Sequence, residues 1–173
     1  GVIGAKPIHL QKPQERKKPL DFKQLYIDIG AEDKQAAKKL VKLGDTVTFA
    51  TDFAHLGSKT VKGKAFDDRV GCSLLVEFLQ QDYDFPFYGV FSVQEEVGLR
   101  GAGVAAYDIE PDLAVVLEGT TASDVPESKE EEYSTVVNEG PAFTVMDATI
   151  IPNQKLLQNL IQIEDEEEIE YQF

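Results

Sequence analysis

Apolar positions along the chain switch between two spacings. Leu25-Tyr26-Ile27-Asp28-Ile29 has the every-second-residue alternation of a half-buried strand and stops at Gly30. From Glu32 to Leu43 the apolar residues Ala36, Ala37, Leu40, Val41 and Leu43 fall at helical spacing, and Gly44 follows as a C-terminal stop. Thr46–Ala50 is rich in strand formers, and Gly57 to Gly63 reads as a hairpin turn. Gly1–Pro19 carries Pro7, Pro13 and Pro19 and reads as extended or looping chain.

Beyond residue 64 the pattern becomes an alternation of helices and apolar strands. Val70, Leu74, Leu75, Phe78 and Leu79 form a helical stripe, with Asp67 and Asp68 at its start, where a carboxylate suits both the N-cap and the helix dipole. Phe87 to Val93 has the length and composition of a strand, and Leu99 to Tyr107 predicts a small-residue helix. Leu113-Ala114-Val115-Val116-Leu117 is a continuous apolar run, which predicts a strand buried on both faces. Ala142 to Val145 is a short strand, Pro152 opens a helix through Leu156, Leu157, Leu160, Ile161 and Ile163, and Tyr171-Gln172-Phe173 begins another strand. Helices alternating with buried strands predict an α/β fold with a mostly parallel sheet and helices on both faces.

Charge sharpens this division. Of 17 Lys+Arg and 31 Asp+Glu in 173 residues, Gly1–Lys64 holds 13 and 7, net +6, and Ala65–Phe173 holds 4 and 24, net −20. We therefore expect two domains, 1–64 and 65–173. With 42% apolar residues a packed core is expected rather than disorder. A net charge of −14 argues against nucleic acid as a partner. No apolar run approaches a membrane span, and no signal-peptide pattern follows Gly1, so the cytoplasm is the default compartment. A single cysteine, Cys72, rules out an internal disulfide, and its place in the helical stripe predicts a small buried core thiol rather than a nucleophile.

Several chemistries lack their residues. There is no GxGxxG, no P-loop, no HExxH and no GxSxG, and the only histidines are His9 and His55. Carboxylates at strand ends are more informative. The 87–93 segment runs into Gln94-Glu95-Glu96, the 113–117 segment runs into Glu118, and Asp67-Asp68 precedes the long helix. Ligands of open α/β sheets bind outside the carboxyl ends of the strands. Several carboxylates in one crevice repel unless a cation or shared protons neutralise them, which points to a metal site. Solvated loop carboxylates in an acidic protein are the competing reading.

Three stretches carry a family resemblance: Ala65-Phe66-Asp67-Asp68-Arg69-Val70-Gly71, Phe91 to Ala102 with Val93-Gln94-Glu95-Glu96-Val97-Gly98 at its centre, and Leu117-Glu118-Gly119-Thr120-Thr121 with Asp124-Val125-Pro126. In this order they closely resemble the tetrahedral-aminopeptidase family, which comprises dinuclear metallo-aminopeptidases. Gly1 to Pro7 and Gly140-Pro141 through Met146-Asp147 are similar to family segments as well. The resemblance implies that Asp67 bridges two divalent metal ions, zinc or cobalt, through a carboxylate followed by a cis peptide bond to Asp68. It further implies that Glu96 and Glu118 are terminal metal ligands, and that Glu95 is the general base acting on a metal-bridging water. The implied fold is a zinc-peptidase-like α/β domain interrupted by a small β-barrel, of which 1–64 would be part. The implied partners are a peptide substrate and further copies of the chain, in dimers building to a dodecamer.

The departures from the family are specific. Its upstream His-x-Asp segment and its downstream His ligand have no match, and His9 and His55 lie elsewhere in the pattern. The expectation that follows is the middle part of a longer enzyme, with a site that is incomplete by itself. The alternative is a non-catalytic chain with a structural or assembly role. Glycoside hydrolysis is a third reading, resting on the endoglucanase label some relatives carry and on paired carboxylates.

Overall fold

The computed structural model describes residues 1–173 and divides the chain into two compact units, Gly1–Phe49 and Ala50–Phe173. In the first unit, strand β1 (Val2–Gly4) pairs antiparallel with β2 (Tyr26–Asp28), Ile3 facing Ile27 in the register. Three short 3-10 turns, at Ile8–Leu10, Glu15–Lys17 and Phe22–Gln24, lie between them. The third is closed by a capping box, in which Asp21 accepts from the turn and the Gln24 side chain accepts from the Asp21 amide.

Helix α1 (Lys34–Leu40) follows. Asp33 caps it, one carboxylate oxygen accepting from the amides of Gln35 and Ala36 at 2.7 Å. The helix is shorter than the periodicity predicts. Val41, β-branched, turns to extended backbone (φ −140°, ψ 152°) and ends it, so Gly44 sits in the following turn with φ +95°. The strand expected at Thr46–Ala50 does not form.

The second unit opens with the predicted hairpin, β3 (Ala54–Leu56) antiparallel to β4 (Thr60–Lys62), turning at Gly57 with φ +69°. Helix α2 (Phe66–Leu79), α3 (Arg100–Ile109) and α4 (Gln154–Glu166) follow. Asn153, accepting from Lys155 and Leu156, is the cap of α4, which puts Pro152 just outside the helix rather than at its first position. Leu157, the one buried apolar side chain beyond glycine, lies on the face that α4 turns inward with Leu156, Leu160, Ile161 and Glu164. Tyr83 stacks on Phe87 at 4.6 Å and donates its hydroxyl to the carbonyl of Phe78, tying the chain after α2 back to that helix. None of the helices is long and apolar enough to cross a membrane.

The fold is thus a mixture of helices and small sheets, and it departs from the expected parallel sheet in one respect. Neither 87–93 nor 113–117 is a strand here, and the only parallel pairing is the single bridge between Ala142 and Gln172. A parallel ladder needs a neighbouring strand on which its amides and carbonyls can close. Residues 113–117 make no backbone hydrogen bond, and Leu113 and Val116 are 59% and 76% exposed rather than buried on two faces. The same lack of a covering element leaves Cys72 exposed on α2, against the expectation of a core thiol.

Candidate metal centre

The start of α2 is irregular. Ala65 is left-handed (φ 52°), Asp67 and Asp68 have non-helical backbone angles, and the peptide bond between them is cis, as the resemblance implied. The regular helix therefore begins at Arg69, with Asp68 as its working cap: the Asp68 carboxylate accepts from the Gly71 amide at 2.8 Å. Asp67 is left free of the helix and points elsewhere.

It points to Glu118. Carboxylate oxygens of Asp67, Asp68 and Glu118 all lie within 4.8 Å of one another. Gly119 eases the approach, because a Cβ there would sit 3.1 Å from the Asp67 Cγ, tighter than an ordinary contact. Glu118 is exposed as a residue, yet partial desolvation of its carboxyl, a hydrogen bond shared with Asp67 and repulsion from Asp68 and Asp67 raise its pKa above the ordinary value; the Gly119 amide pulls the other way.

Two of the four residues singled out from sequence, Asp67 and Glu118, are thus brought together. Glu95 and Glu96 lie outside this group, on a turn that closes Val93 to Gly101. The Glu95 carbonyl accepts from Gly98 and Leu99 at 3.0 and 2.8 Å, and the Val93 carbonyl accepts from Gly101 at 2.9 Å. Gln94 and Leu99 are both held at positive φ, 58° and 55°, a conformation L-residues adopt at a cost and one that clusters at functional turns. Gly101 is required for the closure, since a Cβ would come within 2.6 Å of the Val93 nitrogen. Glu95 is half-buried and Glu96 exposed.

Asp68 is the member of the group that sequence reasoning assigned only to the helix cap. The group holds no histidine; His55, on β3, meets Phe53 edge to face at 5.5 Å. Arg100 forms no ion pair; the single salt bridge is Lys6–Glu15.

The donor set suits a divalent cation. Three carboxylates offer hard anionic oxygens to one point, and a positive charge there would offset their mutual repulsion. The glycine at 119 keeps the Asp67 carboxyl clear of backbone substituents.

Comparison with known proteins gives a consistent picture. The model of a family described as M42 glutamyl aminopeptidase matches residues 1–173. FrvX of Escherichia coli (strain K12), provisionally named an aminopeptidase, is 39% identical over 163 residues, 92% of this chain and 46% of its own length. The solved aminopeptidase APDkam598 of the archaeon Desulfurococcus kamchatkensis superposes with a TM-score of 0.90 at 37% identity, covering 100% of this chain and 49% of that one. A dodecameric structure, PhTET1-12s, superposes with a TM-score of 0.70 at 32% identity over 99% of this chain and 50% of its own. The chain spans about half the length of the relatives it matches.

Proposed function

Since the chain belongs to the M42 glutamyl aminopeptidase family, we propose that it carries part of the active site of a metal-dependent aminopeptidase, which removes N-terminal residues from peptides. The observation that supports this reading best is the meeting of Asp67 and Glu118, from separate segments, beside Asp68. In this reading Asp67, Glu96 and Glu118 would hold two divalent ions, zinc or cobalt, which would supply Lewis acidity toward the scissile carbonyl.

The chain's own groups do the rest. Glu95 is the general base: its carboxylate takes a proton from the attacking water and returns it to the leaving amine, a role worth roughly 10²–10⁴-fold in rate. Asp68 fixes the start of α2 through Gly71 and so aims Asp67 at Glu118. Residues 1–64 serve as part of an assembly domain with a β-barrel, and 65–173 as part of an α/β catalytic domain. Peptides are the substrate, and the assembly is a homo-oligomer, as the dodecameric relative suggests. The cytoplasm is the compartment.

A second reading has one observation in its favour. No histidine joins the carboxylate group, which fits a chain that keeps the fold with a structural or assembly role and no turnover of its own. One substitution separates the two. In the full-length enzyme, Glu95→Gln is expected to lower turnover of an N-terminal-residue amide substrate by on the order of 10²–10⁴-fold while bound metal stays constant. Turnover equal to that of the parent protein removes Glu95 from the mechanism. Metal retention with no turnover in the parent favours the structural role.

A further inference from the structure

The segment that follows Glu118 is held by a relay of hydrogen bonds that the proposed chemistry does not use. Thr135 is the one buried polar residue of the chain, 7% exposed. Its hydroxyl donates to the carbonyl of Thr121 at 2.8 Å, and its own carbonyl accepts from the Ser123 amide at 2.9 Å. These two bonds bracket the chain three and five residues past Glu118 and lace it to 134–136. The next residue, Val136, is gripped in turn by one side chain. Its amide donates to the Gln172 Oε1 at 2.8 Å, and its carbonyl accepts from the Gln172 Nε2 at 3.0 Å. The Gln172 amide group thus does for Val136 what a neighbouring strand's backbone would do, and the same Nε2 donates to the Gly140 carbonyl at 3.0 Å. Gln172 is anchored on its own account, its backbone bonded to Pro141 and Phe143.

A short side chain bonded to a remote carbonyl cannot hold that carbonyl unless its own backbone is fixed. Here it is fixed through the next residue, Val136, by Gln172. We propose that Thr135, with Gln172 behind it, is a positioning residue for Glu118: the relay sets where the 118–121 segment lies, and so sets the distance from the Glu118 carboxylate to Asp67. The inference rests on the metal reading above, and it concerns the hydroxyl of Thr135 rather than its bulk.

Two substitutions separate the hydroxyl from the bulk. Thr135→Val keeps the shape and removes the donor; Thr135→Ser keeps the donor and removes a methyl. Cobalt(II) is titrated into the full chain and followed by its visible absorption, with far-ultraviolet circular dichroism confirming that each variant is folded. Thr135→Val is expected to weaken cobalt binding by on the order of tenfold, the scale of losing an outer-shell partner, and to alter the band shape. Thr135→Ser is expected to restore both. Unchanged affinity and spectrum in Thr135→Val overturn the inference alone, as does equal weakening in both variants. Absence of cobalt binding by the parent chain overturns the metal reading and this inference together.

Discussion

Glu118 stands between two stretches of opposite character. On its N-terminal side, Leu113–Leu117 is entirely apolar and makes no backbone hydrogen bond. On its C-terminal side the chain is mostly small and polar, and it is bonded through Thr121 and Ser123 to Thr135, then through Val136 to Gln172. Hydrophobicity therefore does not decide which stretch is held. A polar stretch can satisfy itself with side chains brought from elsewhere in the chain. An apolar strand has only its backbone to offer, and it needs a second backbone alongside. The placement of Glu118 relative to Asp67 is thus secured from the polar side.

Several substitutions would break or sharpen that contrast. The largest effect on stability is expected for Thr135→Val, which removes the part-buried bond to the carbonyl of the exposed Thr121 and costs about 0.5–1.5 kcal/mol, read by denaturant unfolding. Val116→Asp, placed in the apolar stretch and 76% exposed, is expected to change stability by less than about 0.5 kcal/mol. A cost for Val116→Asp equal to that of Thr135→Val would show that the 113–117 stretch is covered after all. The smallest effect concerns Asp147, where amides of Thr149 and Ile150 and the Thr149 hydroxyl hold the carboxyl below its ordinary pKa. A depressed folded pKa contributes stability above the unfolded value and loses it as the pH falls through the folded one. Asp147→Asn should therefore remove a weak acid-side loss of order at 147–150, visible in a nuclear magnetic resonance titration.

What sequence made legible follows the same division. The three helices of the acidic half, the hairpin at 54–62 and the strand at 26–28 were all legible, because each rests on local periodicity, a cap or a turn glycine. Asp67 and Glu118 were picked out as candidates from a helix start and the end of an apolar run, and the structure brings their carboxylates together. The sheet itself was not legible, because strand pairing depends on a partner that pattern alone does not supply. Cys72 was misplaced for a related reason: its stripe is helical, but the residue itself lies on an exposed part of the helix. Thr135 and Gln172 left no signal at all. Their bonds join residues 14 and 36 positions apart, and neither residue type announces a long-range partner. Asp68 was legible as a cap, and its second role beside Glu118 became visible only once the backbone at 67 and 68 was seen to leave the helix.

The central claim is that Asp67 and Glu118 form one cation-binding group. Calorimetric titration of zinc into the purified chain and into Asp67→Asn tests it most directly. The account predicts saturable binding in the parent and a loss in Asp67→Asn exceeding the roughly hundredfold upper range for outer-shell changes. Identical isotherms for the two proteins would contradict it.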